Sequence, residues 1–474
     1  MLKCTNTFNI DYICVMLYGR IMEPIDIKLQ RLDLALPPFE AYRRLRPGFK
    51  SSFMLESAVG GAKTVAYSFM GFGPSEIISC KDGKVSGGIG LDHLRERPVD
   101  FLRATCKDFT LPITMFPFAG GLVGYFSYEF ARQAEPASVR PFPSEFPEFE
   151  LGLYRECLIY DHSNFQAYYL GIGKEEGALL EHVAALREPD PRGFKADAPR
   201  SETTQEAFEE GVQTVKSRIT DGETFQTVIS RRLASGYRGD LLNLYEALRT
   251  LNPSPYMFYL DFGERTVLGS SPETLLTVRG REATTFPIAG TRPLGSGLRE
   301  RKRYREDLLH DEKERAEHAM LVDLARNDLG RVCEGGSVGV PEYMRVEEFS
   351  HVQHIVSKVQ GTLAKGCEPV DALCSVFPAG TVSGAPKPRA MEIIGEVEGV
   401  SRGPYAGGVG YISMNGNLDS AITIRSAFAT GGKLYFQAGA GIVADSDPAK
   451  EFQETEQKLG ALRSALRQAG EGMA

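Results

Sequence analysis

Residues 311–330 read Asp311-Glu-Lys-Glu314-Arg-Ala-Glu317-His-Ala-Met-Leu-Val-Asp-Leu-Ala-Arg-Asn-Asp-Leu-Gly330. The stretch opens charged and closes apolar, which predicts a helix running from the surface into the interior. Residues 299–310 just before it are also crowded with charge. They read as the outer part of the same helix, with a solvated face. Glu314 and Glu317 are three apart and share a helix face. A second pair, Glu451 and Glu454, lies in the last predicted helix. Asp447-Pro448 starts that helix as cap and first position, and Gly470 is its expected stop. Phe452, Leu459, Leu462 and Leu466 line one face of it. Two carboxylate pairs brought together repel unless a cation sits between them, and oxygen-only ligands suit Mg²⁺. Spacing alone leaves open the plainer alternative of four solvent-facing glutamates.

A glycine-rich strand, Gln437-Ala-Gly439-Ala-Gly441-Ile, precedes the last helix. Its glycines let backbone approach a bound group, and its N–H groups can hold a carboxylate. No GxxxxGK[ST] run is present, which disfavours phosphate binding. Thr204 is placed to cap a helix with Phe208, Val212, Val215 and Ile219 on one face. Short apolar runs at 66–69, 121–126, 227–233, 256–260, 266–269 and 275–278 read as strands. The polar stretch from Glu188 to Glu202, with three prolines, reads as a linker. The expected organisation is an extension over 1–23, poorly ordered and with Met16 and Met22 as later possible starts, then units over 24–190 and 200–470.

The chain has 474 residues, a net charge of −8 and 24% charged residues. That is ordinary for a globular enzyme and excludes disordered, collagen-like and coiled-coil classes. No apolar run reaches the ~18 residues of a membrane span. The acidic balance argues against nucleic acid as main partner. The eight cysteines include no CxxC pair. They read as reduced thiols in a reducing compartment, so a cytoplasmic location is expected.

Six stretches then carry a resemblance. They are Pro287-Ile-Ala-Gly290-Thr291-Arg-Pro, Leu321 to Gly330, His351-Val-Gln-His354-Ile-Val-Ser, Gly380-Thr381-Val-Ser-Gly-Ala-Pro-Lys387, Thr423-Ile-Arg425-Ser-Ala and Gln437 to Gly441. In this order they resemble the chorismate-utilising enzymes over about 205–468. Phe53-Met-Leu-Glu56-Ser57 and Tyr67-Ser-Phe-Met-Gly71 resemble the first domain of the anthranilate synthase component I branch. The resemblance implies an α+β fold: a large intertwined sandwich of antiparallel sheets with flanking helices. It implies a regulatory N-terminal unit and a catalytic C-terminal one.

Two positions sort the chemistry within that family. Related isochorismate and salicylate synthases carry a water-activating Lys where Gln226 stands, and Gln cannot act as a base. Aminodeoxychorismate synthases usually carry a Lys where Ala289 stands, and Ala offers no nucleophile. Both point to ammonia attacking chorismate, followed by pyruvate loss to give anthranilate. Aminodeoxychorismate synthase component I, of the folate pathway, is the alternative.

By resemblance, Glu273 is the acid for the leaving hydroxyl and His354 handles a proton or positions the ring in the second half. Gln226 and Thr381 join them at the catalytic centre. Gly290, Thr291, Tyr405, Arg425, Gly439 and Gly441 would hold chorismate. Glu314, Glu317, Glu451 and Glu454 would hold Mg²⁺. Glu56, Ser57, Pro255, Tyr256 and Met257 would form a tryptophan feedback site, with a carboxylate to meet the ammonium. A separate glutamine amidotransferase subunit, in a heterotetramer, would supply ammonia.

Overall fold

The computed structural model describes residues 26–57, 67–88, 90–107, 109–173, 177–186, 192–348 and 352–471, and the backbone of three short strands before residue 22. Apart from those strands, the expected 1–23 extension lies outside the described residues. So do Cys4, Cys14, Ala66, Arg187, residues 188–191 of the expected linker, and His351.

Two large antiparallel sheets face each other. One runs, in spatial order, through Ile27–Leu32, Gln166–Ile172, Glu156–Asp161, Tyr67–Phe72, Ser52–Glu56, Tyr256–Asp261, Arg265–Ser271, Ser426–Thr430, Lys433–Ile442 and Gln226–Gly239. The other runs through Ile288–Pro293, Val352–Thr362, Glu282–Thr285, Thr274–Arg279, Leu418–Ile422, Gly408–Ser413, Gly121–Phe126, Phe149–Tyr154 and Glu76–Lys81. The early and late parts of the chain share both sheets. Ser52–Glu56 pairs with Tyr256–Asp261, and Gly121–Phe126 pairs with Gly408–Ser413.

Strand alternation explains the layers. Phe53, Phe69, Ile159, Phe258 and Val267 point between the sheets, into the largest apolar cluster. Their neighbours Met54, Met70, Leu158, Tyr259 and Leu268 point to the opposite face. That face is covered by the helices Pro38–Leu45, Leu242–Leu251 and Pro448–Glu471. Each fully buried aromatic contributes about 1.5–3 kcal/mol relative to leaving it exposed.

The Thr204 cap forms as expected: its side chain accepts from Ala207 N, and the helix spans Gln205–Thr220. The single helix expected across 299–330 is two. Leu298–His310 ends before Asp311, and Glu312–Gly330 starts after it. Asp311 is extended there, and its carboxylate caps Lys313 N and Glu314 N. A good N-cap inside a charged run starts a new helix instead of continuing the old one. The last helix also passes its expected stop, running through Gly470 to Glu471.

Candidate active site

The chain crosses from one sheet to the other at two adjacent corners. At the first, Arg265–Ser271 leaves one sheet and Thr274–Arg279 enters the other, with Pro272 and Glu273 between them. At the second, Leu418–Ile422 leads through Thr423-Ile-Arg425 into Ser426–Thr430. The corners are bonded together: Ser270 N donates to Arg425 O at 3.2 Å, and Ile422 N to Glu273 O at 3.0 Å. Arg425 sits at φ +50°, in the left-handed region that a bulky residue rarely adopts. This geometry sets the Glu273 carboxyl and the Arg425 guanidinium within electrostatic reach of each other.

Burial pushes the Glu273 carboxyl up to about 7, against the opposing pull of Thr381, Lys458 and Arg425. Thr381 Oγ1 donates to Glu273 Oε1 at 2.7 Å. Burial lowers the Arg425 guanidinium, and its side chain makes no ion pair or hydrogen bond among the described residues. A half-buried cation with no such partner suits an anionic ligand.

Gly290, Thr291 and His354 meet at a second point. The strand Ile288–Pro293 shifts register between Ala289 and Thr291, with Gly290 at φ +66°. A Cβ at Gly290 would press on Leu308 at 2.8 Å and reach Glu314 at 3.1 Å. His354 Nδ1 lies 2.8 Å from Gly290 O and 3.1 Å from Thr291 Oγ1. A carbonyl only accepts, so Nδ1 carries the proton and Nε2 is the acceptor nitrogen of the neutral ring. Burial lowers His354 and favours that neutral form.

A third group lies on the glycine-rich strand. A Cβ at Gly441 would meet Gln226 Nε2 at 2.7 Å, and one at Gly439 would meet the Tyr405 hydroxyl at 2.8 Å. Gln226 Oε1 is buried without a partner. Lys458 Nζ donates to Gly439 O at 2.9 Å and pairs with Glu454 at 2.7 Å.

The four glutamates lie in a row across two helices. Burial raises Glu317, and Glu314, Asp311 and Glu451 raise it further. Burial also raises Glu451, with Glu454 adding to it. Arg292 holds Glu314 at 3.0 Å, as Lys458 holds Glu454. No three acidic, His or Cys side chains converge closely enough to hold an ion as they stand, among the described residues. The donor set still fits a hard cation. It is all carboxylate oxygen, and burial still raises its central members although Lys313 pulls on both and Lys458 on Glu451.

Sequence reasoning missed Lys458 and Arg292. Both were readable: Lys458 is one helical turn beyond Glu454, and Arg292 follows Thr291 in a quoted motif.

Ser57, Pro255, Tyr256, Met257 and Glu56 line a separate cavity of ≈ 960 Å³ between the sheets. The Tyr256 hydroxyl lies 3.0 Å from both Thr274 Oγ1 and Asp419 Oδ1, and Arg279 holds Asp419 at 2.7 Å. Ser57 Oγ is buried without a partner among the described residues. The Glu56 carboxylate, expected to meet an ammonium, instead accepts from Tyr245 at 2.8 Å and Arg249 at 3.1 Å. Alternation along its strand turns it to the helix-covered face.

Residues 34–464 match the chorismate binding enzyme family. The chain belongs to that family. It is an enzyme of chorismate conversion. Anthranilate synthase component 1 of Methanothermobacter thermautotrophicus is 47% identical over 440 residues, covering 92% of this chain and 93% of that protein. The crystal structure of anthranilate synthase component I from Streptococcus pneumoniae superposes with a TM-score of 0.75 at 33% identity, over 90% of this chain and 97% of that one. The menaquinone-specific isochorismate synthase of Escherichia coli has the same fold, with a TM-score of 0.72 at 22% identity over 93% and 94% of the two chains. The α+β architecture of antiparallel sheets read from the resemblance is the one observed. No helix is long and apolar enough to cross a membrane, among the described residues.

Proposed function

We propose that this chorismate-binding enzyme is the large subunit of an anthranilate synthase, acting in tryptophan biosynthesis. It aminates chorismate with ammonia and then eliminates pyruvate. The observation that carries the reading is a protonatable carboxyl, Glu273, beside an unpartnered guanidinium, Arg425. The names of its relatives support it, and so do Ala289 and Gln226, which offer neither nucleophile nor base.

Arg425 and the Tyr405 hydroxyl bind the enolpyruvyl carboxylate, with the Gly439 and Gly441 amides beside it. Glu314, Glu317, Glu451 and Glu454 would hold Mg²⁺, which would supply charge neutralisation for a ring carboxylate. Gly290 and Thr291 flank the ring. Glu273 donates its proton to the departing hydroxyl, since hydroxide leaves poorly unprotonated. Thr381 holds that carboxyl in place. His354 Nε2 then takes or positions a proton as pyruvate leaves.

Ammonia comes from a separate glutamine amidotransferase subunit. Burial pushes all six described cysteines up, so none of them is an activated thiolate. The inter-sheet cavity takes tryptophan as feedback inhibitor: Tyr256 flanks the indole and Ser57 Oγ offers a hydrogen bond, while the Met257 side chain, expected beside it, packs on the helix-covered face.

The test is product analysis of the chain with chorismate, Mg²⁺ and an ammonium salt. Fluorescent anthranilate is expected, and glutamine alone should give none. Accumulation of aminodeoxychorismate or isochorismate would refute the reading.

A further inference from the structure

One buried ion pair stands beside the site with no part in the reaction above. Lys387 Nζ bonds Asp328 Oδ2 at 2.8 Å and the Val376 carbonyl at 2.9 Å, and both side chains are buried. Its placement opposes the helix dipoles. Lys387 is the first residue of the helix Lys387–Glu398, where a cation is disfavoured. Asp328 is in the last turn of Glu312–Gly330, where an anion is disfavoured. A buried pair is seldom a large source of stability. This one must be explained by what it holds.

It holds a turn. Val376 ends the helix Pro369–Val376, and five residues later comes Thr381, the donor to Glu273. On the other side of Thr381, Arg402 Nη1 donates to Val382 O at 2.8 Å. Between the two anchored carbonyls, Gly380 presses on the helix Glu312–Gly330: a Cβ there would sit 2.4 Å from Leu324. Asp328 lines the small cavity that Glu273 and Thr381 line, and also the groove on the far side that Glu317 lines. Asp328 thus borders both the acid's cavity and the groove that Glu317 and Lys387 line.

We propose that Lys387 is a positioning residue: clasped to Asp328 and to the Val376 carbonyl, it fixes the turn that presents the Thr381 hydroxyl to Glu273. This rests on the reading of Glu273 as the acid. Besides Thr381, Glu273 faces Arg425 from the second corner and Lys458 from the last helix. Arg331 is the other charge felt by Asp328.

The test is the pH dependence of ammonia-dependent turnover, at saturating Mg²⁺, in four proteins: wild type, Thr381→Val, Lys387→Met, and the double variant Lys387→Met/Asp328→Leu. The Thr381 hydrogen bond favours ionised Glu273, so its loss moves the alkaline limb to higher pH. Thr381→Val and Lys387→Met should shift that limb equally, and Lys387→Met should lower kcat by roughly 10- to 100-fold with KM for chorismate nearly unchanged. The double variant leaves no unpaired buried carboxylate, so its melting temperature should recover while the limb stays displaced. Return of both limb and kcat to wild type in the double variant would mean the pair is only structural and would overturn the proposal. So would a Lys387→Met limb that stays put while that of Thr381→Val moves. If the limb stays put in Thr381→Val itself, Glu273 is not the acid, and the proposal falls with that reading.

Discussion

The corner at Ser271–Thr274 divides two unlike spaces. Pro272 and Thr274 line the large cavity between the sheets, while Glu273, between them in the corner, faces Thr381. In the large cavity the carboxylates of Asp419 and Glu56 are matched, Asp419 by Arg279 and the Tyr256 hydroxyl and Glu56 by Arg249. On the catalytic side they are not. Glu273 is raised, Arg425 makes no ion pair among the described residues, and burial raises both Glu317 and Glu451. A binding cavity can be satisfied and empty at once, because its ligand is recognised by volume and a few polar atoms. A site that clamps a dianion and a cation must keep charges in reserve, at a cost in stability.

The largest effect should come from removing the acid. Glu273→Gln is expected to lower ammonia-dependent kcat by about 10²- to 10⁴-fold with the melting temperature unchanged or raised. In the wild type, the Glu273 proton is present below its value of about 7 and lost above it. The kcat/KM profile of the free enzyme should therefore fall as pH rises through that region. His354→Ala should spare amination and slow pyruvate loss, so the aminated intermediate builds up in product analysis. Unaltered turnover in both variants would refute the division of labour.

A smaller effect is expected at the large cavity. Ser57→Ala removes one hydrogen bond, about 0.5–1.5 kcal/mol. Tryptophan affinity should weaken a few-fold by calorimetry, with kcat untouched. A change in kcat instead of affinity would show that the two spaces are not separate. The smallest effect is at the surface: neutralising the exposed Arg326–Asp323 pair should change stability by about 0–1 kcal/mol.

Much of this was legible because local chemistry decided it. The Thr204 cap, the strand periodicities and the ordered motifs needed only neighbouring residues. Sheet order did not follow from the sequence, since Ser52–Glu56 pairs with a strand some two hundred residues later. The break at Asp311 was hidden by a charge run in which the cap looked like one more acidic residue. The direction of Glu56 was hidden for another reason. A one-residue choice of strand face sends a carboxylate either to a ligand or, as here, to Arg249. Lys387 was quoted in a motif, but the pairing that gives it a role depends on three helices meeting.

The most direct test of the central claim is a Mn²⁺ titration followed by electron paramagnetic resonance, in the presence of chorismate. The glutamates of two helices sharing one ion predicts a single site per chain. Glu317→Gln and Glu451→Gln should then each weaken it by tenfold or more, on the order of the loss of 1.4 kcal/mol. A site that survives either substitution unchanged would contradict the shared ion.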